Sequence, residues 1–210
     1  AHVRSMVSQR FPMIKLNSLD YLYSLPGVDR PTAYRDLAQM LLNKSMLDGF
    51  EVIYLVAGSP LYYNDAVRLI RLLCQQAGHP LRLIHGMAFV ELVLEAVDWT
   101  GHRGLQLYSA WNIADDSMVL QPDAPALLCQ IGEYSSSGDA VDARQSVGML
   151  TRLKQGLLKC YPQDHQVVVL HTEPPDYIVG ATELLLRELD RKPVPVYANL
   201  WVPPLDASEE

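Results

Sequence analysis

The apolar and polar positions divide the chain into short apolar runs separated by amphipathic stretches. Ala1 to Met6 reads as a short strand. Helical spacing runs from Pro31 to Leu47, with Pro31 in the first turn and Tyr34, Leu37, Ala38, Leu41 and Leu42 on one face. Val52 to Val56 is a continuous apolar run, as expected of a strand covered on both faces. It ends in the small-residue turn Ala57-Gly58-Ser59-Pro60. Asn64 or Asp65 is placed to cap the next helix. Ala66, Leu69, Ile70, Leu73 and Ala77 fall there at helical spacing, and Gly78 with Pro80 stops it. Leu81 to Ile84 again reads as strand, followed by His85-Gly86 and a helix from Phe89 to Val97. That order predicts a β-α-β-α unit built on a parallel sheet.

The second half has a different rhythm. Leu105 to Ile113, Ala126 to Ile131, Val167 to Leu170 and Val194 to Val202 read as strands. One helix is predicted from Asp142 to Tyr161, with Leu150, Leu153, Leu157, Leu158 and Tyr161 on one face and Pro162 ending it. Another is predicted from Thr182 to Arg191, with Thr182 as N-cap and Pro193 as stop. Strands here do not alternate strictly with helices, which predicts a mixed sheet. Asp98, Thr100, Gly101 and His102 break the pattern between the halves. The reading is therefore two α/β domains, 1–98 and 104–205, with a polar tail at 206–210.

Charge and composition narrow the function. Lys and Arg number 17 against 24 Asp and Glu, a net charge of −7 over 210 residues. No basic cluster stands out, which argues against a nucleic-acid surface. Cys74, Cys129 and Cys160 are too few and too scattered for a disulfide framework, and no CxxC pair suggests zinc. They read as buried free thiols, which makes a cytoplasmic setting the default. No apolar run is long enough to span a membrane, and the first ten residues do not read as a signal peptide.

In an open parallel sheet, ligands bind beyond the carboxyl ends of the strands. Two such ends are legible, Ala57-Gly58-Ser59-Pro60 and His85-Gly86-Met87-Ala88. Small residues there let a ligand approach the backbone; the plainer reading is a routine strand-to-helix turn. Familiar catalytic patterns are missing: there is no GxxxxGK[ST] loop, no GxSxG and no HExxH. His165 and His171 would share one strand face, with no carboxylate fixed beside them for a metal. His85 reads as a neutral histidine bonded to backbone. A chain without acid, base or metal is compatible with methyl transfer from a sulfonium, which needs little besides placement.

Several segments resemble the tetrapyrrole methylases, which use S-adenosylmethionine. IYLVAGSPLYY, within Val52 to Tyr63, is similar to their strand and "aGdP" loop. LRLIHGMAFVELVLEAV, Leu81 to Val97, is similar to their "vevvPGvSs" strand and helix. NLWVPPL, Asn199 to Leu205, resembles the "sLYVPPL" ending of a subgroup fused to a MazG-type nucleotide pyrophosphohydrolase. GLQLYSA at Gly104 and LLCQIGEY at Leu127 also resemble that subgroup. The resemblance implies two α/β domains with the cofactor S-adenosylmethionine in a cleft between them, and a homodimer. It implies cofactor contacts at Ala57, Gly58 and Ser59, with Tyr62 just beyond, at Ala88 and Phe89, at Ile131 on the adenine side, and at Thr172. Ala1-His2-Val3 resembles the family's second strand, so its GxGPG loop would lie upstream. Ser59 stands where the family has an acidic residue, and His85 where it has proline.

Two functions follow as expectations. The first is an S-adenosylmethionine-dependent methyltransferase acting on a tetrapyrrole or other small molecule. The second is a noncatalytic ligand-binding or regulatory domain of the same fold, associated with a nucleotide pyrophosphohydrolase. No residue is nominated as a catalytic base. Apolar residues from Val194 to Leu205, expected to be exposed, are compatible with the homodimer.

Overall fold

The computed structural model describes residues 2–19, 21–22, 28–56, 58–101, 104–132, 143–172, 179–195 and 198–205. They fall into two compact units, one up to Ala88 and one from Phe89 onward.

The first unit is helical. Helices α1 (His2–Arg10), α2 (Arg30–Met46) and α3 (Asp65–Gln76) belong to it. The expected strand at Ala1 to Met6 is instead part of α1. Arg, Met and Gln in this segment favour helix, and Ser5 and Met6 are exposed where a core strand would bury alternate residues. Helix α2 starts where Asp29 accepts a hydrogen bond from the Thr32 N–H at 2.8 Å. That bond also holds the Asp29 carboxyl below its ordinary value. Asn64 caps α3 through the Val67 N–H. The two helices pack through Ala38, Leu42, Ile70 and Cys74, with Tyr54 against them. The buried face of α3, with Val67 and Cys74, is turned from the predicted one, and Ala77 is exposed.

Residues 51–56 and 79–88 have no regular secondary structure and form no ladder, so the expected parallel sheet of this domain is absent among the described residues. Residues 51–56 are not covered on both faces. Val52, Tyr54 and Val56 are half-buried, whereas Ile53 is 69% and Leu55 53% exposed. A continuous apolar run shows that a segment can be buried; it does not supply the neighbouring strand.

The second unit is built on a five-stranded mixed sheet of order β1-β2-β5-β3-β4. Its strands are β1 (Gln106–Ser109), β2 (Ala126–Cys129), β3 (Gln166–Thr172), β4 (Val179–Leu185) and β5 (Asn199–Val202). Strands β1 and β2 are parallel, and β5 runs antiparallel to both of its neighbours, β2 and β3. The registers align Leu128, Leu200 and Val169 on one face. That face packs against α5 (Ala110–Ala114) and α6 (Ala143–Leu157) through Ile113, Leu150, Leu153 and Leu157. Helix α4 (Phe89–Ala96) buries Val90 and Val93 outside that cluster and packs on β3 and β4. Asp98 and Gly101, both at positive φ, turn the chain between α4 and β1.

Three expectations in this half are corrected. Leu105 to Ile113 is strand only to Ser109, because Ala110, Ile113 and Ala114 carry the i, i+3, i+4 spacing of a helix. Thr182 to Arg191 is not a helix. Thr182 lies in β4, opposite Val169, and a 3-10 turn follows at Leu186–Glu188. Pairing along the whole length of β3 overrides the helical propensity of its leucines. Among the described residues of Val194 to Val202 only the last four lie in a strand, since Pro193 and Pro195 have no N–H to give a ladder. Those four are buried, so they do not supply the exposed apolar surface expected for a homodimer.

As expected, the cysteines are free thiols; Cys74 and Cys129 are buried and Cys160 half-buried. Among the described residues no helix is long and apolar enough to cross a membrane.

A polar cluster fastens α6 to the turn after β4. Lys154 and the Thr151 hydroxyl both donate to Asp190. Burial pushes the Asp190 carboxyl up, but these bonds outweigh it and hold it below its ordinary value. Its stabilisation is therefore complete above the unfolded carboxyl value of about 4 and is lost as pH falls through that value and the lower folded one. Asp190→Asn is expected to cost about 1–2 kcal/mol at neutral pH. The deficit should shrink on acidification to about pH 3, read by urea unfolding at each pH. A pH-independent deficit would refute the ionic role.

Candidate functional site

The two small-residue turns come together within the first unit. Gly58 has φ +73°, a left-handed conformation that glycine adopts without strain. A Cβ placed on Gly86 would stand 2.9 Å from the Gly58 carbonyl oxygen, closer than real Cβ contacts. A Cβ on Gly58 would meet only the Met87 carbonyl oxygen, at 3.6 Å. The glycines therefore do different work. Gly86 is small so that the other loop can approach; Gly58 provides the backbone turn and is itself exposed.

The residues around them are ordered by local hydrogen bonds. The Leu61 N–H donates to Ser59 Oγ at 3.3 Å, closing a short turn over the buried Pro60. Tyr62 is exposed, and Tyr63 has φ +49° just before the Asn64 cap. Ala88 is buried. His85 is exposed and, among the described residues, makes no hydrogen bond; the backbone-bonded reading is not met. Ala57 lies outside the described residues.

The remaining candidates belong to the second unit. Phe89 opens α4 and is half-buried. Because β5 is antiparallel to both β2 and β3, the carboxyl ends of β1, β2 and β3 share one edge of the sheet. That topology brings Ile131, two residues past β2, and Thr172, the last residue of β3, to the same end. Asn199 begins β5 between them. Ile131 is buried, and its N–H donates to the Ala198 carbonyl at 3.0 Å. That N–H is committed to the fold, and the residue is completely buried.

Sequence reasoning missed Gln130 and Asn199. Gln130 has φ +63°, and its N–H donates to Asn199 Oδ1 at 3.3 Å. Asn199 is the single buried polar residue among the described ones. An asparagine inside the apolar run ANLWV was the available signal. His165 and His171 are structural. His165 Nε2 lies 2.9 Å from the Pro203 carbonyl oxygen, and its ring packs on Tyr161; the His171 imidazole covers Gly180. Among the described residues no group of His, Cys, Asp and Glu is placed to hold a metal.

No family model matches this chain, and no curated protein matches it by sequence. Solved structures do. A protein described as related to cobalamin synthesis, CobF from Corynebacterium diphtheriae, aligns over 97% of this chain and 81% of its own, with 9% identity and a TM-score of 0.59. The cobalamin biosynthetic enzyme cobalt precorrin-4 methyltransferase aligns over 85% and 72%, with 14% identity and a TM-score of 0.55. Uroporphyrin-III C-methyl transferase from Thermus thermophilus, complexed with S-adenyl homocysteine, aligns over 80% and 72%, with 13% identity and a TM-score of 0.53. In another structure of that transferase, this chain spans 60% of the length. These neighbours are tetrapyrrole methylases, and the likeness shows that the chain has their mixed α/β fold.

The loop contact makes a stability prediction. Gly86→Ala forces the two loops apart and is expected to cost about 1–3 kcal/mol. Gly58→Ala, strained by its φ, is expected to cost about 1–2 kcal/mol. Because the residues touch, the double variant should lose measurably less than the two losses added. Urea unfolding reads all three, and a Gly86→Ala protein as stable as the parent would refute the close approach.

Proposed function

We propose that this chain is an S-adenosylmethionine-dependent methyltransferase of the tetrapyrrole methylase type, acting on a tetrapyrrole or another small molecule. The observation that carries the reading is the meeting of the Gly58 and Gly86 loops in a chain with the fold of those enzymes. The finer parts of the proposal are a homodimer, a cytoplasmic setting and a MazG-type partner domain.

The residues fit the cofactor in two respects. Gly58 is exposed with space where a side chain would stand, and the turn after β2 is pinned by two backbone N–H groups. When bound, S-adenosylmethionine supplies a methyl group activated by a positively charged sulfur. The cofactor contacts of this proposal are Ala57, Gly58, Ser59, Tyr62, Ala88, Phe89, Ile131 and Thr172. The protein's task is to fix donor and acceptor in line and to exclude water.

One observation favours the second reading, a noncatalytic binding or regulatory domain associated with a nucleotide pyrophosphohydrolase. Ser59, in place of an acidic residue, spends its hydroxyl on the Leu61 N–H within its own loop. That reading keeps the fold and removes turnover.

Calorimetric titration with S-adenosylhomocysteine tests the proposal. Micromolar binding is expected, weakened at least tenfold by Gly58→Trp in a variant shown by its thermal melt to be folded. Tyr62→Ala, at an exposed position, serves where the tryptophan variant is not folded. Absence of binding to the folded parent protein would overturn the methyltransferase reading. Binding without methyl transfer to any tetrapyrrole acceptor would favour the regulatory one.

A further inference from the structure

We infer that the outer edge of β4 is the surface through which two copies of this chain pair, strand against strand; the inference rests on the homodimer of the reading above and names its interface. β4 is the last strand of the sheet and pairs with β3 alone. Its residues, Val179 to Leu185, are all in register with β3, without a bulge. Alternate residues of β4 therefore direct their N–H and carbonyl groups away from the sheet. Among the described residues no backbone group takes them. Ala181, Thr182 and Glu183, in the middle of the strand, are exposed, and the residues on either side are half-buried.

The usual protections of a sheet edge are missing here. β1, at the opposite edge, has only four residues, and its Gln106 side chain is bonded to the backbone of the segment before β2. β4 is longer and contains no proline and no lysine. Such an edge is complementary to itself, because antiparallel pairing about a two-fold axis gives each outward N–H a carbonyl of the same strand in the other copy. One register overlaps the whole strand, with the axis at Thr182. It sets Thr182 against Thr182 of the partner subunit, and Ala181 against the partner's Glu183. Glu183 is the sole charge on β4, and this register gives it a small neutral neighbour. An axis moved by one residue, to Glu183, would oppose two carboxylates in a chain whose net charge is already −7. Charge thus selects the same register that overlap selects.

Sedimentation equilibrium of the whole chain, beside thermal melts, tests the edge. The parent is expected to dimerise with a micromolar constant. Ala181→Glu places a carboxylate opposite the partner's Glu183, twice in each dimer, and should weaken association about fivefold. Ala181→Lys places an ammonium there and should strengthen it about threefold. Ala181→Glu combined with Glu183→Lys opposes unlike charges again and should return to within about threefold of the parent. An effect on folding alone would move the melts and lack this pattern of signs. A folded Ala181→Glu protein that dimerises as the parent does would overturn the inference and leave the homodimer to another surface. A parent that stays monomeric at about 100 µM would overturn the homodimer, and the inference with it, while calorimetry with S-adenosylhomocysteine still reads cofactor binding separately. Should the glutamate variant not fold, amide exchange in the parent decides: protection of alternate β4 amides that rises with protein concentration supports the edge, and exchange independent of concentration refutes it.

Discussion

The second unit depends on a four-residue strand. β5 enters between β2 and β3, antiparallel to both, and all four of its residues are buried. Without it the sheet would separate into a parallel pair, β1–β2, and a hairpin, β3–β4, and isolated two-stranded ribbons are marginal in water. Leu200 and Val202 feed the core under α5 and α6, and Trp201 is buried outside it. Each such side chain contributes roughly 1.5–3 kcal/mol by burial. The ladder of β5 to β2 closes loops of about seventy residues and its ladder to β3 loops of about thirty, so the sheet is completed by long-range pairing.

The same insertion sets the position of the candidate chemistry. An antiparallel strand between two parallel ones places its own beginning beside its neighbours' ends. Asn199 thereby comes to lie beside Gln130 and in register with Leu170, close to Thr172. A parallel β5 would have brought Val202 there and left the turn after β2 without its acceptor. Topology, more than local sequence, decides which polar group reaches the sheet edge.

Legibility followed the same division. β2 and β3 were visible because each is a continuous apolar run that the sheet buries, and α3 because Asn64 caps a clean helical stripe. The segment from Leu105 failed where a strand gives way to a helix without a breaking residue, at Ser109 and Ala110. The segment from Thr182 failed because its leucines fit both periods and only pairing with β3 decides. Residues 51–56 were legible as apolar, but a ladder needs a neighbour that one segment cannot reveal. In the site, Gly58 announced its positive φ by its type. Gln130 did not, since nothing about a glutamine signals a left-handed turn held from 69 residues away.

The glycines show why a small residue is an ambiguous sign of a ligand. At Gly86 the missing side chain is explained by the Gly58 carbonyl oxygen, which occupies the place a Cβ would take. A ligand is not needed to account for it. At Gly58 the φ angle requires glycine, yet the space beside it is open and exposed. Only Gly58 therefore combines a structural reason with room for an occupant. Gly86 acts at one remove by letting that loop sit where it does. A reaction that asks for placement rather than for an acid or base is suited to such an arrangement.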